Sequence, residues 1–233
     1  MKEAASKPQF DSAADDASDK EASSAADTKP EAGKDGEQGD ELRAAPRFTL
    51  LIRAAKLITG HGEFICVIRD VSETGVSLRM FHKVPDDQEV ELHMPSGGIY
   101  KLDHVWIRDR EAGYEFAETV DVAQLIAEAG EYPKRGMRLG LCFPVVIRTL
   151  TGKAKGVVEN LSQQGARISS DALFAIDQAL RIEAEDKLVP LPEVRAKVRW
   201  RRDDEYGVVF DDTLSLADFA RLAARLQCPR LLD

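Results

Sequence analysis

Two short groups of polar residues, 90 residues apart, combine side chains that can accept hydrogen bonds from a ligand. Their members are Asp70, Ser72 and Gly75 in the first copy, and Asn160, Ser162 and Gly165 in the second. A carboxylate accepts hydrogen bonds from N–H donors, an amide oxygen accepts them without the charge, and a hydroxyl adds one more contact. The same residue types also predict a tight turn, in which Asp, Asn and Ser bond their own backbone and glycine supplies a positive φ.

Basic residues precede both groups at nearly the same distance. Arg43 and Arg47 precede the first copy, and Lys134, Arg135 and Arg138 precede the second. A guanidinium can fork onto a phosphate or a base edge, or stack on a base face, so two arginines at this spacing can clamp one ligand. Lys134 offers charge without a planar fork, and Arg135 replaces it only if the segment shifts by one residue.

The polar groups belong to an internal repeat of strand-like segments. Trp106, Gly113 and Phe116 of the first copy recur as Trp200, Gly207 and Phe210. Short apolar runs between Gly, Pro, Asp and Ser clusters predict a small antiparallel barrel rather than alternating strands and helices. The predicted strands of the first copy are 48–58, 64–70, 76–81, 88–94, 99–108 and 113–117.

One strand of the second copy shows the alternation most clearly. Val194, Ala196, Val198 and Trp200 alternate with Arg195, Lys197, Arg199 and Arg201. A pleated strand with this pattern sends the apolar set to the core and the basic set outward.

Each copy ends in a predicted helix. Val122, Leu125, Ile126 and Ala129 keep helical spacing in the first copy, and Leu216, Phe219, Ala223 and Leu226 keep it in the second. Ser215 is the expected N-cap of the second helix, with Asp218 three residues on. These apolar stripes are predicted to pack on a barrel or on the sister domain.

The net charge of −9 is concentrated in the first 42 residues, which carry 12 acidic and 5 basic side chains. Few large apolar residues occur there, so a disordered acidic tail is expected. The chain shows no secretory signal and no apolar run long enough to cross a membrane, so we expect a cytoplasmic protein without membrane insertion.

Catalytic and metal-binding motifs are missing from the sequence. The three cysteines and four histidines form no CxxC or HExxH spacing, so reduced cysteines, no metal and no cofactor are expected. We also find no nucleophile elbow and no phosphate-binding loop, and therefore expect a binding protein rather than an enzyme.

With these motifs the chain resembles the PilZ domain family, small six-stranded bacterial barrels that bind cyclic di-GMP. The family signature is RxxxR before the barrel and [D/N]xSxxG at a strand turn. The first copy matches both parts, whereas the second has Lys134 in place of the first arginine. The resemblance implies a mainly β chain with a tail at 1–42, a first PilZ domain at 43–131 and a second at 132–233, each barrel being followed by a helix.

The resemblance also implies a receptor that binds cyclic di-GMP mainly in its first domain and relays the signal to a protein partner in motility, exopolysaccharide or biofilm control. In the family, the Asp or Asn and the Ser contact a guanine, while the arginines hold the ligand. The expected contacts are therefore Arg43, Arg47, Asp70, Ser72 and Gly75 in the first domain. Those in the second are Lys134, Arg135, Arg138, Asn160, Ser162 and Gly165.

Two other functions are compatible with the same residues. In the first, the motifs survive only as turns and the tandem barrels act as a nucleotide-independent protein adaptor, as Lys134 favours. In the second, the basic strand at Arg195–Arg201 binds single-stranded nucleic acid. Aromatic residues make up only 6% of the chain and its net charge is negative, so we expect no nucleic-acid partner.

Overall fold

The computed structural model describes residues 48–127 and 136–233. Six antiparallel strands close the first barrel in the order β1-β2-β3-β6-β5-β4. They are β1 (Phe48–Thr59), β2 (Gly62–Val71), β3 (Gly75–Met80), β4 (Glu89–His93), β5 (Ile99–Arg108) and β6 (Glu111–Phe116), followed by the helix α1 (Val122–Ala127). The predicted strands are confirmed to within a few residues at each end.

The second barrel repeats this topology. Its strands are β7 (Arg138–Leu139), β8 (Phe143–Arg148), β9 (Lys153–Ser162), β10 (Gly165–Ser169), β11 (Ala179–Ala184), β12 (Val194–Arg202) and β13 (Glu205–Phe210). The ring closes because β9 pairs with both β8 and β10, and β7 extends the sheet beside β9. Two six-stranded antiparallel barrels with terminal helices are therefore confirmed. The tail at 1–42, predicted to be disordered, lies outside the described residues.

The C-terminal helix α2 (Leu216–Gln227) packs on both barrels. Ser215 is its N-cap, as predicted, because the Ser215 hydroxyl accepts a hydrogen bond from the Asp218 amide at 3.0 Å. The buried side chain of Phe219 belongs to the core of the second barrel. Ala224 and Leu231 belong to the core of the first barrel, with Leu231 on a 3-10 helix, Pro229–Leu232.

Strand β2 lies between the two cores, and its sequence reflects this position. The run from Phe64 to Ile68 is buried throughout, since Phe64 faces its own barrel while Ile65 joins the core of the second. Strands covered on both faces have continuous apolar runs rather than alternation. The Gln227 side chain fixes the junction, because its amide accepts from the Glu63 backbone N–H at 2.8 Å and donates to the Glu63 carbonyl at 2.7 Å.

The alternation predicted for β12 holds for three of its four apolar residues. Val194, Ala196 and Val198 are buried, whereas Trp200 is 40% exposed. The prediction that Trp200 faces the core is therefore wrong. The pairing of β12 with β13 shifts between Val198 and Trp200, and this β-bulge turns the indole onto the outer face.

Candidate ligand-binding site

The two signature groups fold into the same kind of turn. In the first barrel the Gly75 amide donates to the Ser72 hydroxyl at 3.1 Å and the Ser72 amide donates to the Gly75 carbonyl at 2.8 Å. In the second the Ser162 hydroxyl donates to the Gly165 carbonyl at 3.0 Å. Both serines are buried, so each hydroxyl closes its turn, as the residue types predicted.

The predicted positive φ of the signature glycines is wrong. Among the described residues, the glycines with a positive φ are Gly62 and Gly97. The neighbouring strand lies close to both glycines instead: a Cβ atom would lie 3.1 Å from the Tyr114 carbonyl oxygen at Gly75 and 2.2 Å from the Val208 carbonyl oxygen at Gly165. The neighbouring strand therefore leaves no room for a side chain at Gly165, whereas at Gly75 a small shift of that strand would admit a Cβ atom.

In the first barrel, β-bulges align four residues on the outer face of adjacent strands. Asp70 pairs with Ser77 after a bulge in β2, Ser77 pairs with Gly113, and Gly113 pairs with Trp106 after a bulge in β5. We call Asp70, Ser77, Gly113 and Trp106 the outer row of this barrel. The Ser77 hydroxyl donates to the Asp70 carboxylate at 3.0 Å, so the predicted acceptor lies on the barrel surface within the row.

The second barrel has the equivalent outer row, with different side chains. Asn160 pairs with Arg167, Arg167 with Gly207, and Gly207 with Trp200, again across two bulges. Bulges re-aim side chains beside functional sites, and here they place the signature residue and the tryptophan on one face.

The indole of each tryptophan lies directly against the glycine of its row. A Cβ atom on Gly113 would lie 2.0 Å from Trp106 Nε1, and one on Gly207 would lie 1.9 Å from Trp200 Nε1. Each glycine is therefore required so that the indole can lie against the backbone. An indole face held in this way is a flat surface on which a base can stack.

The two parts of the second signature meet in the fold. Arg138 on β7 donates from Nη1 to Asn160 Oδ1 at 3.0 Å, although the two residues are far apart in the sequence. They open onto a surface cavity of about 560 Å³. The cavity is lined by Arg138, Asn160, Arg167, Trp200, Arg201, Arg202 and Glu205. Four guanidinium groups against one carboxylate suit an anionic ligand, and Trp200 adds an aromatic surface.

The charges around the outer rows are arranged differently in the two barrels. In the first, Arg69 at the bulge lies 3.5 Å from Glu111. In the second, the residue at the bulge is Glu159, and the guanidinium comes from Arg167, whose Nε lies 2.8 Å from a Glu159 oxygen. Arg167 also lies 3.6 Å from Glu205, the counterpart of Glu111 in the repeat.

Family comparison supports this picture with matches at both barrels. The model of the PilZ domain matches residues 41–129 and 134–227, which together make up most of the chain. The chain belongs to the PilZ domain family. The two matched segments correspond to the two barrels and include both signatures.

Several solved structures are similar to this chain at low sequence identity. PlzA of Borreliella burgdorferi, in complex with c-di-GMP, is 15% identical over 76% of this chain and 88% of its own, with a TM-score of 0.33. The Bacillus subtilis inhibitor of motility MotI/DgrA is 13% identical over 78% and 98%, with a TM-score of 0.34. MrkH of K. pneumonia, also with c-di-GMP, is 11% identical over 74% and 84%, with a TM-score of 0.29. The comparison with curated proteins gives no significant match.

Several of the predicted PilZ site residues are described by the structure. Asp70 and Asn160 lie at equivalent positions of the two outer rows, and Arg138 reaches Asn160. Ser72 and Ser162 are buried in the turns, so a direct contact with a base requires them to exchange a turn hydrogen bond. Four predicted site residues lie outside the described residues: Arg43, Arg47, Lys134 and Arg135.

Sequence reasoning did not identify Ser77, Arg167 and Trp200 as members of the site. Ser77 and Arg167 each stand two residues after the signature glycine. Residues two apart in a strand lie on the same face, so this spacing was the signal that they lie on the outer face with the glycine. Trp200 was recognised as a repeat landmark but was assigned to the core. The tryptophan and the glycine recur together in both copies, and this was the signal that each tryptophan packs against its glycine.

Other chemistry is sparse in the described part of the chain. In residues 48–127 and 136–233, no group of three His, Cys, Asp or Glu side chains is placed to hold a metal ion. The three cysteines are free thiols, and burial raises the pKa of Cys66 to about 12, so that its thiol stays protonated. No helix in these residues is long and apolar enough to cross a membrane.

Proposed function

We propose that this protein is a cyclic di-GMP receptor that binds the dinucleotide on the outer face of its PilZ barrels. The observation that carries the proposal is the contact between Arg138 and Asn160, which joins the two separate parts of the PilZ signature at a basic cavity. Cyclic di-GMP is a dianion with two guanines, and guanidinium groups and amide or carboxylate acceptors match its phosphates and base edges. No catalytic step is proposed.

The first barrel is proposed as the main site. It carries the complete signature, with Arg43 and Arg47 before the barrel and Asp70 in the outer row. Asp70 offers a carboxylate as acceptor, and hydrogen bonds between a carboxylate and guanine N–H donors are stronger than those of a neutral amide. Phe48, which follows Arg47 directly in the sequence, pairs with Val71 beside the signature turn.

The second barrel is proposed as a weaker site. Its Lys134 lacks the fork of an arginine, but Arg138 is already bonded to Asn160 in the outer row. Ligand bound at either site connects the segment before a barrel to that barrel's surface. We propose that this change is read by a protein partner, since order and position of such segments are common outputs of ligand switches.

Isothermal titration calorimetry with cyclic di-GMP on the full chain tests the proposal. We expect a tight site that is lost in the Arg43→Ala/Arg47→Ala variant and a weaker one that is lost in Arg138→Ala/Asn160→Ala. Arg181→Ala is the matched control, because Arg181 is exposed on β11 and pairs with Glu193 outside the cavity.

Absence of heat, together with an unchanged melting temperature, would contradict the receptor function and favour the nucleotide-independent adaptor. Loss of all binding in the Arg138/Asn160 variant, with the Arg43/Arg47 variant unaffected, would reverse the order of the two sites. Small-angle scattering with and without saturating ligand tests the relay. An unchanged profile would argue against a large rearrangement.

A further inference from the structure

The second outer row contains a guanidinium where the first contains a hydroxyl. Arg167 and Ser77 occupy equivalent positions, since each pairs with the signature acceptor on one side and with the glycine under the tryptophan on the other. Ser77 donates its hydroxyl to Asp70, whereas Arg167 lines the cavity beside Asn160. The PilZ signature does not include this position.

We propose that Arg167 is a ligand-binding residue of the second barrel and that its guanidinium replaces the one missing at Lys134. The inference rests on the proposed function, because the ligand is the same dianionic guanine dinucleotide. The second barrel would then hold the ligand with one arginine from the leading strand, Arg138, and one from within the barrel.

Two carboxylates lie beside the Arg167 side chain at the cavity wall. Nε lies 2.8 Å from Glu159 and Nη1 lies 3.6 Å from Glu205, while the side chain remains 39% exposed. A guanidinium carries five N–H donors, so two ion pairs leave donors for a ligand. The guanidinium fork is planar and rigid, so it loses less conformational freedom per hydrogen bond formed than a lysine ammonium does.

The composition of the cavity favours an anion at this position. Arg138, Arg167, Arg201 and Arg202 oppose Glu205, and the exposed face of Trp200 completes the wall. A phosphate between Arg138 and Arg167 would leave a guanine within reach of the indole surface. Stacking on an aromatic face and a forked phosphate contact are compatible in one planar ligand.

A purely structural function of Arg167 makes a different prediction. Exposed ion pairs of this kind contribute little to stability, so the loss of Arg167 would then have a small effect on unfolding and none on ligand affinity. Binding and unfolding measurements on the same variant therefore separate the two functions.

The two tryptophans allow the second site to be observed alone. Trp106→Phe leaves Trp200 as the remaining tryptophan, and its fluorescence reports binding at the second cavity. In this background we expect cyclic di-GMP to change the Trp200 emission. Arg167→Ser, which introduces the residue of the first barrel, is expected to weaken the response by about tenfold, on the order of 1.4 kcal/mol.

Two further variants sharpen the test. Arg181→Ser removes an exposed, ion-paired arginine from the same barrel and should leave the affinity unchanged. Arg167→Lys keeps the charge without the fork and should recover only part of the affinity. Affinity at the wild-type level in Arg167→Lys would overturn the requirement for a guanidinium.

The outcomes distinguish this inference from the proposed function. Calorimetric binding to the wild-type chain without any response of Trp200 would overturn the function of Arg167 and leave the receptor function intact. Equal affinities for Arg167→Ser and Arg181→Ser would do the same. Absence of binding to the wild-type chain by both methods would overturn both proposals.

Discussion

The outer rows of the two barrels share a backbone but differ in chemistry. In both, bulges align a signature acceptor, a glycine and a tryptophan across neighbouring strands. The first row joins a carboxylate acceptor, Asp70, to a hydroxyl, and the second joins an amide acceptor, Asn160, to a guanidinium. The two copies therefore share the backbone positions of the outer row, whereas the side chains at these positions differ in charge and in the hydrogen bonds that they offer a ligand.

The barrels also differ in how they are covered. Strand β2 of the first barrel is buried on both faces, whereas its counterpart β9 alternates and leaves Val157 exposed. The outer face of β2 is covered by the core of the second barrel, which Ile65 joins, and by the C-terminal helix α2. The 3-10 helix that follows α2 places Leu231 in the core of the first barrel. The first barrel therefore depends on the end of the chain for part of its core.

The largest expected effect concerns this dependence. Leu231→Ala should destabilise the first barrel by about 2–3 kcal/mol, because it leaves a cavity in the buried core. The Lys83 amide donates to the Leu231 carbonyl at 2.9 Å, so the truncated residue stays in place and the cavity does not easily close. Denaturant unfolding monitored by Trp106 in a Trp200→Phe background measures the change.

The second barrel provides the comparison for this variant. Trp200, observed in a Trp106→Phe background, should report a smaller loss of stability. Leu232→Ala, at a partly buried neighbour, serves as the control and should cost less. Equal shifts at Trp106 and Trp200 would mean that the barrels unfold as one unit and that the first has no special dependence on Leu231.

The signature glycines should differ between the barrels. Gly165→Ala places a Cβ atom 2.2 Å from a backbone oxygen and should destabilise the second barrel by about 1–3 kcal/mol, since the strands must move apart. Gly75→Ala meets its nearest backbone oxygen at 3.1 Å and should cost less than about 1 kcal/mol. Melting temperatures of the two variants check the order, and a larger loss for Gly75→Ala would contradict it.

The signature acceptors should differ in their contribution to ligand affinity. Asp70→Ala removes hydrogen bonds to a charged group, which are worth about 1.5–3 kcal/mol, so affinity at the first site should fall by roughly one to two orders of magnitude. Asn160→Ala removes neutral hydrogen bonds and should weaken the second site by less than about tenfold. Calorimetry with cyclic di-GMP measures both. A larger effect of Asn160→Ala would show that the second site dominates.

The smallest expected effect is a pH dependence confined to the first barrel, which contains all four histidines. Burial lowers the pKa of His82 from its ordinary value of 6.5, and among the described residues its Nε2 has no hydrogen-bond partner. The unfolded chain therefore binds a proton more readily, so the free energy of unfolding falls as the pH decreases through 6.5.

Unfolding reported by Trp106 at pH 7.5 and 5.5 measures this loss, and His82→Gln should reduce it. The transition reported by Trp200 is the internal control, because the second barrel contains no histidine. The same pH dependence in His82→Gln as in the wild-type chain would exclude His82 as its source.

The sequence predicted most of the architecture because each element was locally consistent. Alternation and turn residues located the strands of the first copy, and Ser215 with Asp218 located the start of the C-terminal helix. The assignment failed at Trp200, since a β-bulge changes the face of a residue and leaves no clear mark in the alternation pattern. For the same reason Ser77 and Arg167 were missed as neighbours of the signature acceptors.

The sequence by itself determined the repeat, the two barrels, the signature positions and the difference between Asp70 and Asn160. These depend on residue type and spacing, which are local properties. Tertiary structure decided which residues share a surface: strand pairing and bulges placed Arg167 and Trp200 beside Asn160. It also decided that Leu231 completes the core of the first barrel, because contacts between residues far apart in the chain depend on how the elements pack.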